Sequence, residues 1–327
     1  MSPLASDERP FSLTRREALR TFALALGATA LPGSLGFLPK SAVAAASPSP
    51  AATSTPPMVS TSLGGNLRMI TGLGGNIAVL EGDDGSLVID SGLPDAAPKT
   101  AAEVGKSGPI ALLVNTHWHY DHAGGNEALS RAGARVMAHH NCHRRMSAEH
   151  YLEPLDRTMP ASPPGALPRV TFGSETALHL NGEFTRLIPV PPAHTDGDVV
   201  VVFQKADVIH AGDLFFNGSY PFIDYSSGGW IGGLVEATRT VLEAGNLKTR
   251  FIPGHGPVAS YYEFRSYIRF LENIHDRLER LQAQGKTVDE VVAAAPTSDY
   301  DEQRGKGFLS PEKFVRITYA GLLKHKK

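Results

Sequence analysis

The chain has 327 residues, 42% hydrophobic and 20% charged, which excludes a disordered or fibrous protein and fits a folded globular one. Its 31 Lys and Arg against 33 Asp and Glu give a net charge of −2 with no basic patch, so a nucleic-acid substrate is disfavoured. A single cysteine, Cys142, excludes an intramolecular disulfide and reads as an ordinary free thiol.

The first 44 residues read as a targeting segment. Ser12–Leu19 carries the pair Arg15-Arg16, an uncharged Ala- and Leu-rich stretch runs from Thr21 to Leu31, and Ala42-Val43-Ala44 offers a small-residue cleavage site. This resembles a bacterial twin-arginine export signal, and it implies a periplasmic protein cleaved after about Ala44. Gly27, Pro32 and Gly33 interrupt the apolar run, which is weak for a membrane span, so no stable membrane anchor is expected. Residues 45–60, rich in Ala, Ser, Pro and Thr, read as a disordered tether. The leader holds five cations and three anions, so the remainder carries a net charge of −4. Residues 61–327 suffice for one domain with a full core.

Leu67–Thr71, Ile77–Glu81 and Leu87–Asp90 predict strands in a glycine-punctuated meander, followed by a helix over Ala96–Lys106 and a buried strand over Ile110–Asn115. That strand delivers His117-Trp118-His119-Tyr120-Asp121-His122, four metal-binding side chains within six residues. In an extended loop alternate side chains share a direction, so His117 and His119 grip one ion while Asp121 and His122 face a second. Imidazole with carboxylate suits zinc, and also iron or nickel. Trp118 and Tyr120, between the ligands, wall a pocket or pack.

Downstream, Gly125–Ala132 predicts a short helix and Arg135–Ala138 a strand. His139, His140, His143 and His150 read as a helix with exposed imidazoles. Arg169–Phe172, Ala177–Leu180 and Phe184–Val190 are further strands. Three segments then offer one ligand type each at a strand end: His194 in the turn Pro191–Asp198, Asp213 in Val208–Phe216, a buried strand running into a Gly-Asp loop, and His255 between Gly254 and Gly256. Asn217, Tyr220 and Asp224 follow Asp213 where a substrate-facing loop is expected, with Asn217 or Tyr220 as donors to an oxyanion. Ile231–Ala244 and Tyr261–Gln284 predict amphipathic helices, the second packing Leu271, Ile274, Leu278 and Leu281 into the core. Phe314–Leu323 closes the chain as a helix.

From Gly64 to the C-terminal helix the chain resembles the metallo-β-lactamase superfamily. The resemblance implies an α/β fold, a four-layer αββα sandwich. It implies that His117, His119 and His194 hold one metal, that Asp121, His122 and His255 hold another, and that Asp213 bridges them. Asp90, in Leu87–Gly92, matches the family's strand-end Asp and is expected to hold the metal loop in place. The implied cofactor is two zinc ions, with iron as the alternative. A hydroxide between the metals would attack a small carbonyl substrate, with Asp121 as the catalytic carboxylate.

The substrate implied is a small molecule: a lactone, ester, thioester or β-lactam. β-Lactamases of the largest metallo subclass place Cys where Asp213 stands and Lys three positions later, where this chain has Phe216. The bridging Asp is instead the pattern of glyoxalase II, lactonases and related hydrolases, although glyoxalase II's basic glutathione-binding residues are not recognisable near the C-terminus. Persulfide dioxygenases with one iron share most of the motifs and are the alternative of another reaction class; a true periplasmic β-lactamase is the alternative within the hydrolases.

Overall fold

A computed structural model describes residues 57–325, so the export signal and most of the expected tether lie outside the described residues. The first strand begins at Val59, so the last two residues of the stretch expected as tether are instead paired in a sheet.

The first sheet opens with β1 (Val59–Ser62), β2 (Leu67–Thr71), β3 (Ile77–Leu80) and β4 (Ser86–Ile89), an antiparallel meander. It continues in parallel through β5 (Ile110–Val114) and β6 (Arg135–His139). A small hairpin, β7 (His150–Leu152) and β8 (Arg157–Met159), intervenes before the edge strand β9 (Val170–Phe172) pairs with β6. The second sheet comprises β10 (Thr176–Leu180), β11 (Glu183–Pro189), β12 (Val199–Phe203), β13 (Val208–Phe216), β14 (Arg250–His255) and β15 (Ala259–Ser260), in that order. Only its β13–β14 pair is parallel.

The apolar residues alternate between two faces, and both faces are covered. Ala78, Leu80, Leu87 and Ile89 of the first sheet meet Val199, Val201 and Phe203 of the second in a core between the sheets. Ile77, Val79 and Val88 point the other way, into a cluster with Val104 of α1 (Ala97–Val104). After α2 (Tyr120–Ala123), α3 (Asn126–Arg131) adds Leu129 to that cluster. Outside the second sheet, Val200, Val202 and Phe215 pack beneath three helices. These follow α4 (His140–Met146) in the chain: α5 (Ile231–Glu243), α6 (Tyr261–Ala283) and, beyond the short α7 (Val288–Ala293) and α8 (Asp301–Arg304), α9 (Pro311–His325). Three apolar layers between four layers of structure make the αββα sandwich. Leu271, Ile274 and Leu278 of α6 are wholly buried, and a Ser260–Glu263 capping box fixes that helix's start. Among the described residues no helix is long and apolar enough to cross a membrane.

Two expectations change. Of the four clustered histidines only His140 and His143 lie on a helix; His139 ends β6 and is buried, and His150 opens β7 with its ring edge-on to Trp118 at 5.0 Å. Asp213 lies inside β13 rather than in a loop after it. The register of β13 against β14 is irregular on both sides of Gly212, whose φ of +53° an L side chain adopts with strain.

Candidate metal centre

The ligand residues meet at one end of the two sheets. Beyond β5, the segment Asn115–His119 carries His117 and His119, and α2 then turns Asp121 and His122 the other way. The extended-loop picture therefore holds only as far as His119. His194 sits in the turn between β11 and β12, which is held by the Asp198 carboxylate accepting from the backbone N–H groups of His194 at 2.8 Å and Thr195 at 2.9 Å. That turn is fastened to the first loop where the Val199 N–H donates to Thr116 O at 2.8 Å. His255 ends β14. A Cβ at neighbouring Gly254 would lie 1.8 Å from Asp213 Oδ1, so only glycine lets β14 run this close to the carboxylate.

Two donor groups result, His117, His119, His194 and Asp213 in one and Asp121, His122 and His255 in the other, with ligand atoms in each within 4.8 Å of one another. Asp213 faces both. Its Oδ2 lies 3.8 Å from His117 Nε2 and 3.4 Å from His194 Nε2, while its Oδ1 lies 3.0 Å from His122 Nε2 and 3.5 Å from His255 Nε2. Asp121 Oδ2 stands 3.2 Å from His255 Nε2 and 3.7 Å from His122 Nε2. The structure thus brings all seven predicted ligand residues together.

The donor set fits metal ions on two counts. His117 Nε2 is buried without a hydrogen bond, a costly state for a polar atom that a cation would relieve. In addition, ring nitrogens of His119 and His194 face each other at 2.9 Å, with the other nitrogen of each ring already engaged. His194 Nδ1 donates to Phe222 O at 2.7 Å, which leaves Nε2 as its ligand atom. His119 Nε2 is 3.2 Å from the buried Asp224 carboxylate, which leaves Nδ1.

Asp90 is wholly buried behind the loop and accepts from Thr116 N and Thr116 Oγ1, both at 2.7 Å, and from His122 Nδ1 at 2.8 Å. It therefore braces the loop backbone and fixes the His122 ring at once.

Sequence reasoning placed Asp224 beside the substrate, yet it orients His119 and caps the turn Tyr225–Ser227, accepting from Ser226 N at 3.0 Å. The motif Asp-x-Ser-Ser signals that cap, but nothing local signals the reach to a histidine 105 residues earlier. Tyr220, expected as an oxyanion donor, lies elsewhere. Its ring stacks on Phe314 at 4.5 Å and its hydroxyl donates to Asp301 Oδ1 at 2.6 Å, so it packs in the core and off the cavity lining. Asn217 also lies off the cavity lining; its side chain donates to Pro257 O at 2.9 Å and props the turn after His255. The residues missed are Leu152 and Leu155 of the hairpin and Phe308 before α9, which wall a cavity of about 300 Å³ whose floor includes His119, Asp121, Asp213 and His255.

The two groups carry different charge. Burial drives His117 well below the usual histidine range and His194 to about 4, so both are neutral imidazoles. Burial, the largest single influence, opposes charge on His122 and His255, but the carboxylates of Asp213 and Asp121, joined at His122 by Asp90, together outweigh it, raising His122 well above 6.5 and His255 to about 9. Metal entering the second group must therefore displace protons. Uptake at pH 7 is expected to release protons, and affinity there to rise as pH approaches about 9. Titration calorimetry in two buffers of different ionisation enthalpy checks this, and uptake without proton release would contradict it. By the same sign, the stability that His255 gives the metal-free chain is present below 6.5 and lost as pH rises through about 9.

Residues 70–268 match the family model described as the metallo-beta-lactamase superfamily. A hydroxyacylglutathione hydrolase from Rhodospirillum rubrum is 29% identical over 228 residues, 68% of this chain and 76% of that protein. Among solved structures, a metallo-beta-lactamase from Pontibacter korlensis superposes with a TM-score of 0.55 at 17% identity, over 66% of this chain and 100% of that one. A double mutant of the sec-alkyl sulfatase PisA1 reaches a TM-score of 0.62 at 17% identity, over 81% of this chain and 50% of that one. At these identities the two structures speak for the fold alone.

Proposed function

The chain belongs to the metallo-beta-lactamase superfamily and is a hydrolase, and from that premise we propose that it binds two zinc ions and hydrolyses a small acyl substrate: a thioester, ester, lactone or lactam. One observation carries the reading: the carboxylate of Asp213 presents one oxygen to each donor group. The second group, Asp121, His122 and His255, supports two ions rather than the single iron of a dioxygenase. The hydroxyacylglutathione hydrolase relative favours the thioester among these substrates.

Metal ions held here would supply Lewis acidity, easing deprotonation of water and polarising the acyl oxygen. His117, His119 and His194 would hold one ion and His122, Asp121 and His255 the other, with Asp213 shared. Asp121 has a further role. It lines the cavity, and burial alone would raise its pKa, but His122 and His255 hold it down at about 2. It is therefore ionised at neutral pH, placed to accept a proton from water and return it to the departing group. The reaction joins a water oxygen to the acyl carbon and breaks the bond from that carbon to sulfur, oxygen or nitrogen. The water's second hydrogen stays on the new carboxyl group, and the first leaves on the thiol, alcohol or amine.

The test is hydrolysis of a panel of thioesters, esters, lactones and a chromogenic cephalosporin by the zinc-loaded protein. Zinc-dependent turnover of at least one is expected; none by protein holding two zinc ions would sink the reading. Cephalosporin turnover would show that Asp213 and Phe216, in place of Cys and Lys, do not preclude lactamase activity.

Export is proposed on Arg15-Arg16, the apolar run after them and Ala42-Val43-Ala44. Changing both arginines to lysine should retain the uncut protein in the cytoplasm. Unchanged processing would overturn the twin-arginine route.

A further inference from the structure

Above its floor the cavity over the donor groups is lined mainly by apolar and aromatic side chains, with Ser219 among them. Tyr120, Leu152, Leu155, Phe216, Phe222 and Phe308 supply its walls, and no Lys or Arg is among its lining residues. Phe216 stands where the lactamase pattern has Lys, and its ring stacks on His255 at 5.1 Å. The nearby cation Arg157 lies over the ring of Tyr120 at 5.1 Å and is exposed, outside the lining.

Phe308 is the informative residue. It is 70% exposed at the cavity, its ring edge-on to Phe222 at 6.4 Å. Its neighbours leave it no retreat. Leu309 is buried in the core, and Gly307 packs so closely on Ser219 that a Cβ there would lie 2.6 Å from the serine side chain. The facing wall is also fastened. Lys324 of α9 pairs with Glu153 in the turn of the hairpin and lies over the Tyr225 ring at 4.7 Å. A phenylalanine held in water beside an apolar cavity forgoes burial that an apolar guest would restore.

Resting on the hydrolase reading, we propose that the non-reacting part of the substrate is uncharged and apolar, clamped between Leu152 and Leu155 on one side and Phe308 on the other. The site then discriminates against acyl groups borne on charged carriers. A cavity of about 300 Å³ with these walls has room for an apolar guest, and none of its lining residues is a cation that would pair with a carrier's carboxylates.

Two measurements on the zinc-loaded full chain test this. Across acetyl to hexanoyl esters of one neutral alcohol, kcat/KM should rise with length. Phe308→Ala should lower the hexanoyl value by about tenfold more than the acetyl value. Phe308 is exposed, so the variant should fold, and Phe308→Arg gives a second reading by shifting preference toward anionic substrates. A flat length profile, or equal losses on every ester in Phe308→Ala, would overturn the proposal. Calorimetric binding of the uncleavable ketone octan-2-one and of S-hexylglutathione reads the pocket without turnover. The ketone should bind at least about tenfold tighter and lose that advantage in Phe308→Ala; tighter binding of S-hexylglutathione would overturn the proposal. If no ester is cleaved yet the ketone is preferred, the hydrolase reading fails and the apolar pocket stands.

Discussion

Asp213→Ala is expected to lower kcat/KM at least about a thousandfold, on the order of 4 kcal/mol in the barrier, and to reduce bound metal below two ions per chain. The argument is geometric and electrostatic. Asp213 is 5% exposed, and its two oxygens face different histidine pairs, so its loss takes one ligand from each proposed ion. Burial alone would raise its pKa, yet His122, His255 and His194 hold it well below the usual carboxylate range, so a full negative charge disappears with it. Without that charge the two charged imidazoles, His122 and His255, lose the partner that offsets their mutual repulsion. Asp213→Asn keeps the shape but not the charge and should also fail to hold two ions. Full metal content with full activity in either variant would remove Asp213 from the centre. Circular dichroism would show whether the fold persists.

Asp90→Ala should cost about 3–5 kcal/mol of stability in the metal-free chain and a further 10–100-fold in metal affinity. Asp90 sits at φ +64° and is wholly buried, and its carboxylate gathers the N–H and hydroxyl of Thr116 and the Nδ1 of His122. Removing it strands three buried polar groups at once, which is the costly direction of losing a hydrogen bond. The two readouts separate two roles. Chemical denaturation reports the brace on the loop, and metal competition reports the orientation of His122. A variant with lowered stability but unchanged metal affinity would make Asp90 a brace for the loop alone.

The sandwich was legible because its strands are covered on both faces. Runs such as Val199–Phe203 are apolar throughout, and glycine-rich turns separate them, so each strand's extent could be read locally. The ligand set was legible because histidine and aspartate crowd a six-residue loop and recur singly at strand ends. What escaped depends on distance in sequence. The strands of the hairpin β7–β8 have three residues each, too short for periodicity to show, yet the hairpin forms a wall of the cavity. Tyr220 follows Asp213 closely enough to suggest a substrate contact, but its partners, Asp301 and Phe314, arrive more than 80 residues later and draw it into the core. Asp224 was noticed for its place in a loop, and its actual partner, His119, lies on the opposite sheet's loop. Phe308 carries no motif, and only its exposure beside Phe222 marks it.

The central claim is a hydrolytic centre of two metal ions sharing Asp213. Elemental analysis of the purified protein, with oxygen uptake followed during turnover, tests it most directly. The account predicts about two zinc ions per chain and no oxygen consumption. One iron per chain, with oxygen consumed in step with product, would contradict it.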